Sequence, residues 1–129
     1  AGLGVAAQQL GDDRQAETEY RLSLELDIEN EKWTVVNNLA WLLATTHVQA
    51  LRDPEEAIVL AKSATEGDPE HADYKATLAA AYAAVGRFPL AISTQQEAIE
   101  LLDKDEDPEL KESFRDQLAR FRAGMPASD

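Results

Sequence analysis

Apolar residues along this chain recur every three or four places, never every second place. Val36, Leu39, Ala40 and Leu43 form one stripe, and Leu78, Ala79 and Tyr82 form another. Leu110, Phe114, Leu118 and Phe121 form a third. Such spacing lines up side chains on one face of an α-helix, whereas a half-buried strand needs alternation. The pattern predicts an all-helical chain built from short helices.

Proline and glycine punctuate these runs. Asp53-Pro54-Glu55-Glu56 reads as a helix start, with Asp as N-cap, Pro at the first helical place and Glu at the third. Asp107-Pro108-Glu109 repeats that logic, and Asp68-Pro69 closes one segment before the next. Gly11 and Gly86 each read as the end of one helical run, with a second run following at once. Around Gly86 stands "TLAAAYAAVGRFPLAI", residues 77–92, in which six of sixteen places are alanine.

The arrangement repeats. From Ala91, Ala79 lies twelve residues back, Tyr82 nine, Gly86 five and Phe88 three, with Ala98 seven on. From Ala16, Gly4 lies twelve back, Ala7 nine and Gly11 five, with Ser23 seven on. From Ala57, Ala64 lies seven on and Pro69 twelve on. Ala57 and Ala91 are 34 residues apart; Ala16 and Ala57 are 41 apart, the excess coming from "THVQALRDP" and the link around Glu29–Lys32. Helix axes can approach closely only where side chains are small, which is the use of Ala79, Ala91 and Ala98. One helical hairpin cannot cover its own apolar face, so hairpins stack, and about three are needed for independent stability.

A helix-turn-helix unit of 34 residues with small residues at two facing places resembles the tetratricopeptide repeat. Leu78, Ala79, Tyr82, Gly86, Phe88, Ala91 and Ala98 carry the likeness in the third unit. Leu39, Ala40, Leu43, Ala57, Ala64 and Pro69 carry it in the second, and Leu3, Gly4, Gly11, Ala16, Tyr20 and Ser23 in the first. The closing proline is replaced by Ile28 after the first unit and by Asp103 after the third. The resemblance implies a single domain over 1–126 with a tail at 127–129: a right-handed superhelical array of hairpins at about 1–28, 33–69 and 72–103. A capping helix at about 108–123 closes it. "NNLAWLLAT", "RDPEEAI" and "LARFRAGMP" resemble repeat segments of large bacterial proteins. The first hairpin is incomplete, so the open N-terminal end is expected to be a place for self-association.

Composition narrows the partners. At 129 residues and 44% apolar, the chain suits one globular domain, and no apolar run reaches the length of a membrane span. The start "AGLGVAAQQLGDD" has neither initiator Met nor the features of a signal peptide, which reads as a piece of a longer protein. Cysteine is absent, which excludes disulfides and thiolate chemistry and leaves the compartment undetermined. A net charge of −13 repels phosphate, so nucleic acid and anionic membranes are not expected as partners. Residues 97–112 hold eight acids and 53–73 another seven; both clusters read as solvated faces.

Chemistry-bearing patterns are few. His47 and His71 are the only histidines, and neither has a metal-ligand neighbour at helical spacing. Asp103, Asp105 and Asp107 match the first places of a calcium loop, but Pro108 stands at the turn glycine and Phe114 at the bidentate glutamate. No nucleotide-binding, acyl-transfer or zinc-protease motif occurs, and Asp12/Asp13 and Glu55/Glu56 read as caps and first-turn charges. Neither a cofactor nor an enzymatic role is expected.

In the tetratricopeptide family the first helix of each hairpin lines a concave groove. The resemblance places Val5, Gln8 and Gln9 there in the first unit. Thr34, Asn37, Asn38, Trp41, Ala44 and Thr45 follow from the second, and Asp73, Ala76, Thr77, Ala80, Ala83 and Ala84 from the third. Trp41 is a natural anchor for a partner side chain, and Asn37 and Asn38 can bond a partner's amides. Packing of Trp41 on Val48 or Leu51 in the inserted turn is the alternative. Family members that clamp chaperone carboxylate termini use basic residues on this face; here the matching places hold Thr34, Asn37, Asp73, Ala76 and Thr77, and only Asn38 agrees. No such clamp is expected. The expectation is a protein-binding module that takes a peptide with apolar anchors, its acidic rim favouring basic flanks. A spacer or self-association element without a groove ligand is the alternative.

Overall fold

The computed structural model describes residues 2–25, 32–102 and 108–128, with side chains from Gly11 onward. Those residues form six helices and no strand: α1 (Gly2–Glu25), α2 (Lys32–Thr45), α3 (Pro54–Gly67), α4 (Ala72–Ala84), α5 (Phe88–Leu102) and α6 (Pro108–Arg122). Ile28, Asp103, Asp105 and Asp107, which enter the repeat and calcium-loop readings above, lie outside the described residues.

Local chemistry sets the helix ends. Asp53 caps α3, its carboxylate accepting from the Glu56 N–H at 3.1 Å, with Pro54 at the first helical place. Gly86 has φ of 80°, and the Gly86 and Arg87 N–H groups return to the carbonyls of Ala83 and Tyr82 at 3.0 and 2.9 Å. Gly124, at φ 72°, ends α6 in the same way. Both are glycine stops in the left-handed region, which satisfy the last carbonyls of a helix.

Gly11 behaves differently and corrects the first hairpin. α1 passes straight through it as one helix, so no turn divides residues 2–25 at Gly11. The physical reason is local: Gly11 does not adopt the positive φ of Gly86, and a glycine inside a helix costs about 1 kcal/mol relative to alanine without breaking it. Asp12 and Asp13 are consequently mid-helix residues and not caps or first-turn charges.

The helices reverse at each connection. The Asp53 N–H bonds to the Leu43 carbonyl at 3.0 Å, while Gly67 at the far end of α3 lies against the Trp33 ring at the start of α2. α4 and α5 are likewise antiparallel, since Ala72 at the start of α4 clusters with Ala98 and Leu102 late in α5. Two reversals bring α2 and α4 side by side and parallel: Thr34 meets Tyr74 at 3.4 Å between hydroxyls. The main core holds Leu39, Ala40 and Leu43 of α2, Ala57 and Ala61 of α3, Leu78, Ala79 and Tyr82 of α4, Ala91 of α5 and Phe121 of α6. Ala40, Ala57, Ala61, Ala64, Ala79, Ala81, Ala91 and Ala98 are all fully buried. Alanine at these crossings lets backbones pack closely, and Tyr82 and Phe121 fill the space between.

α1 runs along α2 in the opposite direction. Tyr20 and Leu24 pack on the core, and the Thr46 hydroxyl donates to Asp13 at the other end of α2. Arg21 ties α1 to α3 through Glu56 at 2.8 Å and bonds Glu17 at 3.2 Å. The Glu56 hydrogen bond above all holds the Arg21 guanidinium above its usual pKa, against a smaller opposing effect of burial. α6 lies antiparallel on α5, with Phe114, Leu118 and Phe121 buried.

Candidate functional site

α2 buries one face in the core and turns the next toward open space, while α4 is buried over most of its surface. On α2, Asn37, Trp41 and Thr45 follow at intervals of four, one step round the helix from the stripe of Val36, Leu39 and Leu43. On α4 the matching flank beside Leu78 and Ala79 holds the exposed Asp73 and the half-buried Ala76, with Thr77 and Ala80 on it buried.

These faces border a first cleft of about 390 Å³. Asn37, Asn38, Trp41, Leu42 and Thr45 of α2 line it, with Asp73, Ala76 and Thr77 of α4, Asp13 and Tyr20 of α1, Thr46 and His47 beyond α2, and Phe114 of α6. Two carboxylates, Asp13 and Asp73, stand in this wall, and none of its lining residues is Lys or Arg. Asp73 lies in the first turn of α4, where the helix dipole favours its negative charge. The Oδ1 atom of Asn37 is buried without a hydrogen-bond partner, an acceptor whose need is unmet. The Thr45 hydroxyl donates to its own helix at the Trp41 carbonyl, 2.7 Å away, and so presents mainly its methyl.

A second cleft of about 330 Å³ shares Trp41, Ala76 and Phe114 with the first. It continues past Ala80 to Gln95 of α5, Ser113, Gln117 and Phe121 of α6, and Ala127 and Ser128 after α6. Gln95 is 1% exposed. Its Nε2 donates to the Phe114 carbonyl at 2.9 Å, and its Oε1 has no partner.

The residues singled out in the sequence fall as follows. Asn37, Asn38, Trp41, Thr45, Ala76 and Thr77 all line the first cleft, and Ala80 lines the second. Trp41 is half-buried and borders both clefts. Ala44 and Ala83, also assigned to the groove, turn into the main core instead. The side chain of Gln8 lies outside the described residues. Sequence reasoning missed Asp13, Gln95, Phe114 and Gln117. A signal existed for two of them. Gln95 stands between Ala91 and Ala98 on the buried stripe of α5, and Gln117 between Phe114 and Phe121 on that of α6. A polar residue inside an apolar stripe asks for a partner.

Comparison with the sequence profiles of known families, with curated proteins and with solved structures finds no match for this chain. Among the described residues, no helix is long and apolar enough to cross a membrane, and no three His, Asp or Glu side chains are grouped to hold a metal ion.

Proposed function

We propose that this chain is a protein-interaction module of the tetratricopeptide type, which binds a peptide or protein segment along the inner faces of α2 and α4. One observation carries the reading: seven positions singled out as groove residues, Asp73 among them, converge on a single cleft that also holds the Asp13 carboxylate. Trp41 is the apolar anchor, since a half-buried aromatic offers large contact area with little entropy to lose. Asn37 and Asn38 supply amides that pair with a backbone, and the buried Asn37 Oδ1 takes a donor. The acidic wall and the net charge of −13 select and steer basic side chains. Stacked antiparallel pairs, with α2 and α4 parallel, support the reading of stacked helical hairpins. The module performs no chemical step of its own.

Selection of binders from a displayed random-peptide library, followed by calorimetry on the winners, tests this. The winners are expected to carry Lys or Arg. Trp41→Ala should weaken them about tenfold or more, and Asn38→Ala and Asp73→Asn several-fold each. Binders indifferent to both Trp41→Ala and Asn38→Ala would overturn the assignment.

A further inference from the structure

After its glycine stop at Gly124, the chain does not leave the molecule. Residues 125–128 turn back onto the second cleft without secondary structure of their own. Side chains of α6 hold this strap by its backbone. The Gln117 amide reads both groups of Ser128: its Oε1 accepts from the Ser128 N–H at 3.1 Å, and its Nε2 donates to the Ser128 carbonyl. Arg120 Nε donates to the Pro126 carbonyl at 2.8 Å, and the small Ala127 packs against the main core. Contacts of this kind recognise an extended chain whatever its side chains.

Gln95 adds an independent observation. The Phe114 carbonyl can only accept, so the orientation of the Gln95 amide is set, with Nε2 on that carbonyl. Its Oε1 is left as a buried acceptor with no partner, on a residue that lines the second cleft beside the strap. A guest bearing an N–H meets that need.

We infer that the second cleft is a receptor for an extended peptide backbone, and that residues 126–128 are its built-in occupant. A partner segment with a small side chain at the Ala127 place displaces the strap and gives Gln95 Oε1 its donor. Trp41, Ala76 and Phe114 border both clefts, so the same segment carries its basic residue in the first cleft. This deepens the inner-face reading proposed above and rests on it.

The test removes residues 125–129 and adds the synthetic peptide AGMPASD, residues 123–129, in trans. NMR follows the side-chain amide signals of Gln95 and Gln117. Both signals should move in the shortened chain, with binding about tenfold tighter than to the intact chain. Gln117→Ala in the shortened chain should weaken it about tenfold, the effect of two hydrogen bonds. No movement in the shortened chain, as for a cleft holding only water, overturns the inference; so does equal binding to the intact chain. Should the shortened chain melt, Ser128→Pro in the full chain removes the N–H that Gln117 holds. Peptide binding must then rise at least threefold over the intact chain, and an unchanged response overturns the inference. If library peptides still depend on Trp41 while the strap stays in place, this inference alone falls. Should neither hold, the inner-face reading falls with it.

Discussion

Gly67→Ala should destabilise this protein, although helix propensity alone says the opposite. Gly67 is the last residue of α3 and has no positive φ, so alanine is allowed by its backbone. On propensity the change would stabilise by at most about 1 kcal/mol. A methyl group there would, however, overlap the indole of Trp33 at three ring atoms. The indole is rigid and turns on only two torsions, so the whole ring must swing away. It would leave Val36, Ala64 and Tyr74, against which it packs, and take with it the Lys32 ammonium that sits 4.9 Å from its centre. Removing a buried aromatic costs about 3–5 kcal/mol, and for a half-buried ring about half of that applies. The net loss is therefore about 1 kcal/mol or somewhat more. Urea unfolding followed by far-UV circular dichroism reads it as a lower midpoint at unchanged slope. In a Trp33→Ala background the clash is gone, and Gly67→Ala should turn neutral or stabilising. A coupling of about 2 kcal/mol between the two sites is expected from this cycle. Stabilisation by Gly67→Ala in the native background, or no coupling, would refute the reasoning.

The two glycines that look alike in the sequence should respond in opposite directions. Gly11→Ala is expected to raise stability by up to about 1 kcal/mol, because the site is helical and open. Gly86→Ala should lower it by about 1 kcal/mol, since alanine there must adopt φ of 80°; thermal melts of the pair check both signs. Phe121→Ala should cost about 3–5 kcal/mol in denaturant unfolding, because the ring is 1% exposed and joins α6 to the main core. Asp53→Ala should cost about 1 kcal/mol by the same measurement, through loss of the bond to the Glu56 N–H.

What could be read in advance follows from how local each cause is. Asp53-Pro54 fixes a helix start within three residues, and α3 begins at Pro54. The stripes of α2 and α6 are visible because their core side chains lie on one face, and Leu39, Leu43 and Phe121 are buried as spaced. Gly11 misled because a glycine marks a stop only when its φ turns positive, and the residue type does not show which glycine turns. Most of the first cleft was legible as one flank of each helix, whereas Ala44 and Ala83 were not separable from that flank. Small residues give no sign of whether space or a helix lies beyond them. Asp13, Phe114 and the strap escaped because they approach from α1 and α6, through tertiary packing that no local spacing encodes.

That ambiguity of alanine has a consequence for how such a chain diverges. α4 carries alanines on two flanks, with Ala79 and Ala83 pressed against neighbouring helices and Ala76 and Ala80 bordering hollows. Enlarging the first pair wedges the scaffold open, while enlarging Ala76 merely reshapes the cavity wall. Mutation at Ala76 can therefore retune what is held without touching what holds it, and lineages that share this scaffold are free to differ there while keeping Ala79 and Ala83.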